Sequence, residues 1–248
     1  RFHMRKFITA MTVAGAAVVG GQAIAADMPY YPPVIEIPDV DYGIGGSFYL
    51  RGSAGLNLHW AREVNKPLLG ETYEVNQLGY GYSWGAGFGY ETGYGPRFDL
   101  TLDSVETAGV RITKADGDPD DGDYTMMLRS TVALANVYYD FSLGTNGFGP
   151  SNGGAFGYVG AGAGAAWNQA QVSAPFGFTT PTGTNVTPAA ALMAGVGYDM
   201  GTLVADLGYR ALYLRQINNW PATDPEAYYE IDNSWIHEVR GTLRYRFN

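Results

Sequence analysis

The sequence contains no cysteine among its 248 residues and only three histidines. The first absence excludes disulfide bonds, zinc–thiolate sites and a cysteine nucleophile, and the second leaves little for metal binding or acid–base catalysis. Acidic residues outnumber basic ones by 24 to 15, so no cationic surplus exists to neutralise nucleic-acid phosphates. We therefore expect no cofactor, no enzymatic activity and no nucleic-acid partner. The length fits one domain, or at most two.

Helical patterns are also missing. After residue 45, no long run keeps a 3.6-residue period between capping residues. Glycine and aromatic residues are abundant instead, with 35 Gly and 19 Tyr. This composition favours alternating strands over helices.

Residues 1–25, which include a short upstream extension, have the features of a secretory signal peptide. A basic pair at 5–6 precedes an apolar stretch at 7–19, and small residues lead to a cleavage position after Ala25. Cleavage after Ala26 is nearly as favourable. The alternative is a retained anchor, but the apolar stretch is shorter than the ~20 residues of a spanning helix. We expect an exported protein.

Residues 26–45 contain four prolines and four acidic residues and no basic residue. Proline fixes φ and removes backbone donors, so this segment is predicted to be an extended periplasmic tether. The remaining residues, 46–248, are predicted to form one β-domain.

Eight segments of this domain alternate between apolar and small or polar residues. They are 46–58, 78–90, 97–105, 124–141, 155–167, 189–199, 203–214 and 235–247. The second face of these segments is mostly Gly, Ala and Ser with a few charges, too small and too sparse for the solvated surface of a sandwich. With the large side chains facing lipid the pattern is explained, because small residues then fill a narrow lumen. We predict an all-β fold: an eight-stranded transmembrane antiparallel up-and-down β-barrel.

Charge placement supports this orientation. The acidic excess lies in the tether and in the connections, whereas the strands carry balanced charge. A strand cation facing lipid near the midplane costs about 2–4 kcal/mol. We therefore predict that the strand charges form a compensated ion-pair network in the lumen, with a conductive pore lining as the alternative. The predicted network residues are Arg51, Arg97, Asp99, Asp103, Arg129, Asp206, Arg210, Glu238, Arg240 and Arg244.

Connection lengths predict which end faces outward. The breaks after the first, third, fifth and seventh segments are long and polar, and those after the second and sixth are short, the pattern of outer-membrane barrels. The connection 142–154 is long for a periplasmic turn, which leaves ten strands as an alternative to eight.

Several phrases resemble the small OmpA-type outer-membrane β-barrels of alphaproteobacteria, a group that includes rhizobial and pathogen surface antigens. They are GGSFYLRGSAGLNL at 45–58, ANVYYDF at 135–141, YVGAGAGAAW at 158–167, LMAGVGYDM at 192–200, LGYRALYL at 207–214 and HEVRGTLRYRF at 237–247. The resemblance implies a barrel in the Gram-negative outer membrane, inserted by the barrel-assembly machinery and in contact with outer-membrane lipid and lipopolysaccharide. It also implies an assembly signal in the last strand, carried by Val239, Gly241, Leu243, Tyr245 and Phe247, although Asn248 follows where the family usually ends on Phe. The larger members' peptidoglycan-binding domain is not expected.

Other candidate sites are weaker. The acidic segment with Asp116, Asp118, Asp120, Asp121 and Asp123 lacks the Gly and Glu of an EF-hand loop, so it suggests at most loose divalent-cation binding. His59 and His237 are the histidines of the mature chain, and the expected lipid-facing neighbours of His237 supply no Ser and acid for a catalytic triad.

The sequence predicts a structural outer-membrane protein that adds to envelope integrity and displays anionic extracellular loops. The alternatives are a small porin-type diffusion channel and an adhesin or ligand-binding surface protein. In the adhesin case Trp220, Tyr228, Tyr229 and 176–178 are the binding candidates. Whether the barrel is a monomer or a homo-oligomer stays open.

Overall fold

In the computed structural model the described residues are 46–61, 63–67, 70–114, 124–144, 153–173, 182–219 and 228–247, and their regular elements are β-strands. No helix within these ranges is long and apolar enough to cross a bilayer. The predicted signal peptide, the tether and the acidic segment 115–123 lie outside the described residues.

Ten strands follow the alternating segments of the sequence. They are β1 (Ser47–Trp60), β2 (Glu63–Lys66), β3 (Glu71–Gln77), β4 (Gly79–Glu91), β5 (Pro96–Lys114), β6 (Tyr124–Ser142), β7 (Gly154–Ser173), β8 (Gly183–Asp199), β9 (Leu203–Asn218) and β10 (Glu230–Phe247). Most of them are longer than the predicted segments. At the strand ends both faces carry residues of the same kind, so the sequence there shows no alternating pattern although the strand continues.

Eight strands close into an antiparallel up-and-down barrel in the order β1–β4–β5–β6–β7–β8–β9–β10, with β10 pairing back to β1. Successive backbone partners lead once round the barrel from Leu50 to Trp60, ten residues further along β1, by way of Phe88, Leu100, Ala135, Ala163, Ala190, Tyr213 and Trp235. This stagger tilts the strands about 40° from the barrel axis. Within the described residues, each of these eight strands pairs with a neighbour on both sides, so the barrel is closed.

The two ends of the barrel differ. The end where β1 begins and β10 ends, with the connections 92–95, 143–153 and 200–202, is here called the turn end. The opposite end, with the connections 61–78, 115–123, 174–182 and 219–229, is called the loop end. The eight-strand prediction is confirmed, with the long and short connections placed as expected.

The additional strands β2 and β3 form a hairpin at the loop end, within a connection that was expected to be a polar loop. β3 pairs with the far end of β5, and β2 pairs with β10 at Glu230. The hairpin thus continues the wall above the shorter strands β1 and β4. The ten-strand alternative placed an extra hairpin at 142–154, of which residues 145–152 lie outside the described residues; β6 and β7 pair directly as far as Ser142 opposite Phe156.

The outward surface is apolar and carries aromatic residues near both ends. On β1, Phe48 and Trp60 are 12 positions apart, which at this tilt is about 30 Å along the axis. The exposed outward aromatics include Phe48, Phe88, Phe98, Tyr139, Tyr198, Tyr245 and Phe247 toward the turn end, Trp60, Tyr80, Tyr82 and Trp167 toward the loop end, and Trp84 and Tyr209 at intermediate levels. Between them lie exposed leucines such as Leu100, Leu102, Leu192 and Leu207. The predicted orientation of these side chains is confirmed.

The lumen has two different halves. Its turn-end half holds the charged network described below, and its loop-end half holds an apolar core that includes Val105, Leu128, Val132, Leu134, Leu212, Leu214, Ile217 and Ile236. The sequence-based expectation of a lumen lined mainly by small and charged residues is wrong for this half. Large aliphatic side chains face inward there and pack across the barrel.

Candidate functional site: the filled lumen

Asp103 on β5 joins the far wall of the barrel through two arginines. Its carboxylate accepts hydrogen bonds from Arg210 Nη1 at 2.6 Å and from Arg240 Nη2 at 2.5 Å. Arg210 Nε donates to Glu238 on the neighbouring strand β10. All four side chains are buried, so two cations and two anions compensate each other inside the lumen.

A second group lies nearer the turn end and is centred on Asp99. It accepts hydrogen bonds from Arg51 Nη1 at 2.8 Å, from Tyr49 Oη at 3.0 Å and from Asn136 Nδ2 at 2.7 Å. Side chains of β1 and β6 therefore converge on a buried carboxylate of β5. Its second partner cation, Arg97, lies 3.7 Å away.

Arg97 forms a two-hydrogen-bond ion pair with Asp140 of β6. Its Nε and Nη2 donate to the two oxygens of Asp140 at 3.0 Å and 3.2 Å, which is the bidentate geometry of a strong arginine–carboxylate pair. Its guanidinium also lies 4.0 Å from the ring centroid of Tyr138. Both members of the pair are buried.

The network closes at the turn end around Arg244 and Arg246. Arg244 lies 3.1 Å from Glu91, 3.6 Å from Asp140 and 3.8 Å from Asp206. Arg246 pairs with Glu91 and, at 2.7 Å, with Asp199. Asp140, Glu91, Asp199 and Arg246 were not among the predicted network residues. Strand parity, continued to the ends of the strands, identifies Glu91, Asp199 and Arg246, but not Asp140, which lies on β6.

Across the seam that closes the barrel, β10 meets β1 as expected. Arg240 Nη2 contacts the hydroxyl of Ser53, and Arg51 Nη2 lies 3.4 Å from Thr242 Oγ1. Nine of the ten predicted residues lie in the lumen: Arg51, Arg97, Asp99, Asp103, Asp206, Arg210, Glu238, Arg240 and Arg244.

Arg129 is the exception, and its predicted lumen position is wrong. Its side chain is 62% exposed on the outward face of β6 and pairs with Glu106 at 3.0 Å. The buried residues of β6 are the even-numbered ones, from Met126 to Asp140. Apolar residues occupy both faces of this strand, so its sequence does not reveal which parity points inward.

Little space is left within the described part of the lumen. A cavity of about 20 Å³ lies between the ion-pair groups, lined by Arg51, Asp103, Asn136, Asp206 and Arg240 among others. A water molecule needs roughly 10–15 Å³, so the cavity holds about one. Several buried guanidinium nitrogens around it, such as Arg51 Nε and Arg240 Nε, have no protein partner within the described residues.

Glycines on the inward face make room for neighbouring large side chains. A Cβ at Gly208 would lie 1.9 Å from Tyr158 Oη, which donates to Asp206 at 3.2 Å. Small residues were predicted to let side chains fill a narrow lumen, and at Gly208 the side chain that uses this space is Tyr158. Tyr158 of β7 lies over Gly195 of β8 and Gly208 of β9, which have no side chains in its way.

Gly208→Ala is expected to destabilise the barrel by about 1–3 kcal/mol, because the added methyl must displace Tyr158 from a packed lumen. Gly241→Ala on the outward face is the matched control, since a Cβ there meets nothing within 4 Å. Denaturant unfolding followed by tryptophan fluorescence measures both. Equal stability of the two variants would contradict the proposed packing.

His59 forms a contact that sequence reasoning missed. Its ring lies inside the barrel with Nε2 against Ser234 Oγ of β10, and both residues are buried. Within the described residues its Nδ1 has no hydrogen-bond partner, so no acid orients the ring as a catalytic triad requires. The adjacency arises from the β1–β10 pairing, which spans 175 positions of sequence.

His237 faces outward, as predicted. It stacks on Tyr209 with ring centroids 6.0 Å apart, and Tyr209 Oη lies 2.5 Å from its Nδ1. The proposed assembly-signal residues Val239, Leu243, Tyr245 and Phe247 share this outward face and are exposed. Their role in assembly stays a prediction.

The remaining candidates concern the loop end. Tyr229 is buried against Tyr73, with centroids 5.9 Å apart, so it is unavailable as an exposed adhesin contact. Trp220, residues 176–178 and the five aspartates of 116–123 lie outside the described residues. In the described ranges no group of three His, Cys, Asp or Glu side chains could hold a metal ion.

Fold and lumen together define a closed antiparallel β-barrel with a filled interior and an apolar exterior. No protein-family model matches the chain, and no curated protein sequence matches it. Among solved structures it is similar to Neisserial surface protein A, with 19% identity, coverage of 81% of this chain and 97% of that one, and a TM-score of 0.46. It is also similar to the outer membrane protein OprG from Pseudomonas aeruginosa, with 13% identity, coverage of 82% and 97%, and a TM-score of 0.47.

A third similar structure is Ail, the attachment invasion locus protein of Yersinia pestis, with 14% identity, coverage of 81% of this chain and 99% of Ail, and a TM-score of 0.37. The similarity is one of general architecture. Kinship with the alphaproteobacterial surface antigens stays a prediction.

Proposed function

We propose that this chain is a structural protein of the Gram-negative outer membrane, a closed barrel that spans the bilayer without conducting and displays acidic loops outside the cell. The observation that carries the proposal is the inverted arrangement of the domain. Ionised groups are buried in the lumen, and large apolar side chains cover the outward face. Contact of this apolar exterior with water would be unfavourable, whereas contact with the hydrocarbon of a bilayer is favourable.

The dimensions support a bilayer span. The aromatic residues near the two ends of β1 are separated by about 30 Å, close to the thickness of a hydrocarbon core. The exposed leucines lie between these levels. The turn end is then periplasmic, and the loop end is extracellular.

Heat-dependent mobility on a detergent gel tests this proposal. The unheated protein is expected to run as a compact species and the boiled protein as an extended one, because a closed hydrogen-bonded barrel resists dodecyl sulfate until heated. The folded protein should also require an amphiphile. Recovery of a folded monomer in detergent-free buffer would overturn the proposal.

The filled lumen favours the structural role over a diffusion channel. Ion pairs occupy the periplasmic half, and the outer half is packed with Leu134, Leu212, Leu214 and Ile236. An ion would have to lose its hydration in this apolar layer.

Planar-bilayer recording is therefore expected to give no stable single-channel steps, with a large porin added afterwards as the control for reconstitution. Steps of uniform amplitude from the purified folded barrel would favour the channel alternative.

A further inference from the structure

The outward wall of β6, β7 and β8 contains a groove that the ion-pair network and the lumen do not explain. Its volume is about 520 Å³, and it lies toward the loop end. The outward residues that line it are Arg129, Thr131, Trp167, Gln169, Thr184 and Val186. Trp167 is one of the loop-end aromatics, so the groove lies where headgroups meet hydrocarbon.

Arg129 is the charged side chain of this groove. Its ion pair with Glu106 joins Nη2 to Oε1 on the β5 side, and the side chain nevertheless remains 62% exposed. Gln169 lies opposite Arg129 in the β6–β7 register, and Thr184 lies opposite Gln169 in the β7–β8 register. A guanidinium, an amide and hydroxyls therefore share one level of the wall, a donor set suited to phosphate.

Below the groove the wall is recessed. The outward residues of β6–β8 are small there, namely Ala133, Ala135, Ala163, Ala165, Pro188 and Ala190, and they face one another across the strands. The outward face of β4 and β5 at comparable positions carries Trp84, Phe88, Leu100 and Leu102. The cationic groove thus continues into a shallow apolar strip that runs toward the bilayer centre.

A polar head above an apolar strip matches an amphiphile better than it matches a second barrel. In a two-fold dimer about the membrane normal, the same surface of both copies meets at the same depth. Arg129 would then approach the Arg129 of the second copy, and two like charges at the same depth repel each other. A phosphate-bearing lipid supplies the opposite charge.

We propose that this groove binds the phosphorylated headgroup of an outer-leaflet lipid, with the acyl chains lying on the alanine strip. The proposal rests on the outer-membrane placement given above. It names Arg129 as the phosphate contact and Ala163 and Ala165 as acyl contacts.

Native mass spectrometry of the folded barrel with a bis-phosphorylated lipid A, and with phosphatidylethanolamine as the zwitterionic comparison, tests the site. Arg129→Gln is expected to weaken lipid A binding about tenfold, the loss of one charge-assisted contact. Arg215→Gln is the matched control, because Arg215 is an exposed arginine of the neighbouring strand β9 that does not line the groove. Equal losses in both variants would overturn the proposal.

Two further variants separate ligand binding from wall structure. Glu106→Gln removes the ion pair but keeps Arg129, so lipid A binding is expected to be retained or strengthened. If Glu106→Gln lost as much lipid A binding as Arg129→Gln, binding would depend on the ion pair and not on a phosphate contact of Arg129, and the proposal would be overturned. Ala165→Phe should weaken binding by filling the strip.

A separate experiment tests whether a second copy of the chain, instead of a lipid, covers the groove and the alanine strip. The chain has no cysteine, so Ala163→Cys places a single thiol on the strip. Efficient disulfide-linked dimers in vesicles would overturn lipid occupancy, and their absence with retained lipid A binding supports it. If the wild type shows the heat-dependent gel shift but no preference for lipid A, this inference fails while the proposed function stands.

Discussion

Replacing Arg97 by alanine is expected to lower the free energy of unfolding by about 3–5 kcal/mol, because the buried carboxylate of Asp140 loses its hydrogen-bonded cation and keeps only Arg244, 3.6 Å away. Asp140 would lose two hydrogen bonds, and Tyr138 would lose the guanidinium 4.0 Å from its ring. Urea titration of the barrel in lipid vesicles, followed by the fluorescence of its five tryptophans, measures the change.

A double-mutant cycle separates the pair from the penalty of isolating one charge. Arg97→Leu with Asp140→Leu is expected to cost much less than Arg97→Leu alone, since no charge is then left unpaired. Arg129→Ala is the matched exposed control and should cost under about 1 kcal/mol. A cost for Arg97→Ala no greater than for Arg129→Ala would contradict the buried network.

Leu102→Arg on the outward face is expected to destabilise the membrane-inserted barrel by about 2–4 kcal/mol. Leu102 is 57% exposed and lies between the two aromatic levels, where the arginine would meet hydrocarbon. The same titration in vesicles measures this cost, and the yield of folded protein gives a second readout.

Met127→Arg is the depth control, because Met127 is similarly exposed but lies beyond Arg129 toward the loop end. Its expected cost is about 0–1 kcal/mol, as for a cation near the interface. Were the exterior in contact with water, Leu102→Arg would change stability by less than about 0.5 kcal/mol. That result would refute membrane insertion.

The strands could be predicted where one face is large and the other small. In β4 the residues Tyr80, Tyr82, Trp84 and Phe88 alternate with glycine or serine, and all four are exposed as expected. The inward parity of Arg97, Asp99 and Asp103 follows from the same reasoning. A charge on one face and a leucine on the other leave a single orientation for a barrel in lipid.

The prediction failed where both faces are apolar. In β6, Leu128, Val132 and Leu134 face inward while Ala133, Ala135 and Val137 face outward, so hydrophobicity does not distinguish the faces. Arg129 was therefore assigned to the lumen. The apolar outer half of the lumen was also missed, because residues 211–214 of β9, which include Leu212 and Leu214, are apolar on both faces.

The sequence by itself determined the class of fold, the eight strands that close the barrel and the outward direction of most large side chains, because alternation and charge placement are local properties. Only the tertiary structure decided which carboxylate pairs with which arginine. It also decided that Ser234 contacts His59 and that Arg129 lines a groove on the outward face. These depend on register and on the ten-residue stagger that brings distant strands together. Register is set by the closure of the whole barrel, and no single strand encodes it.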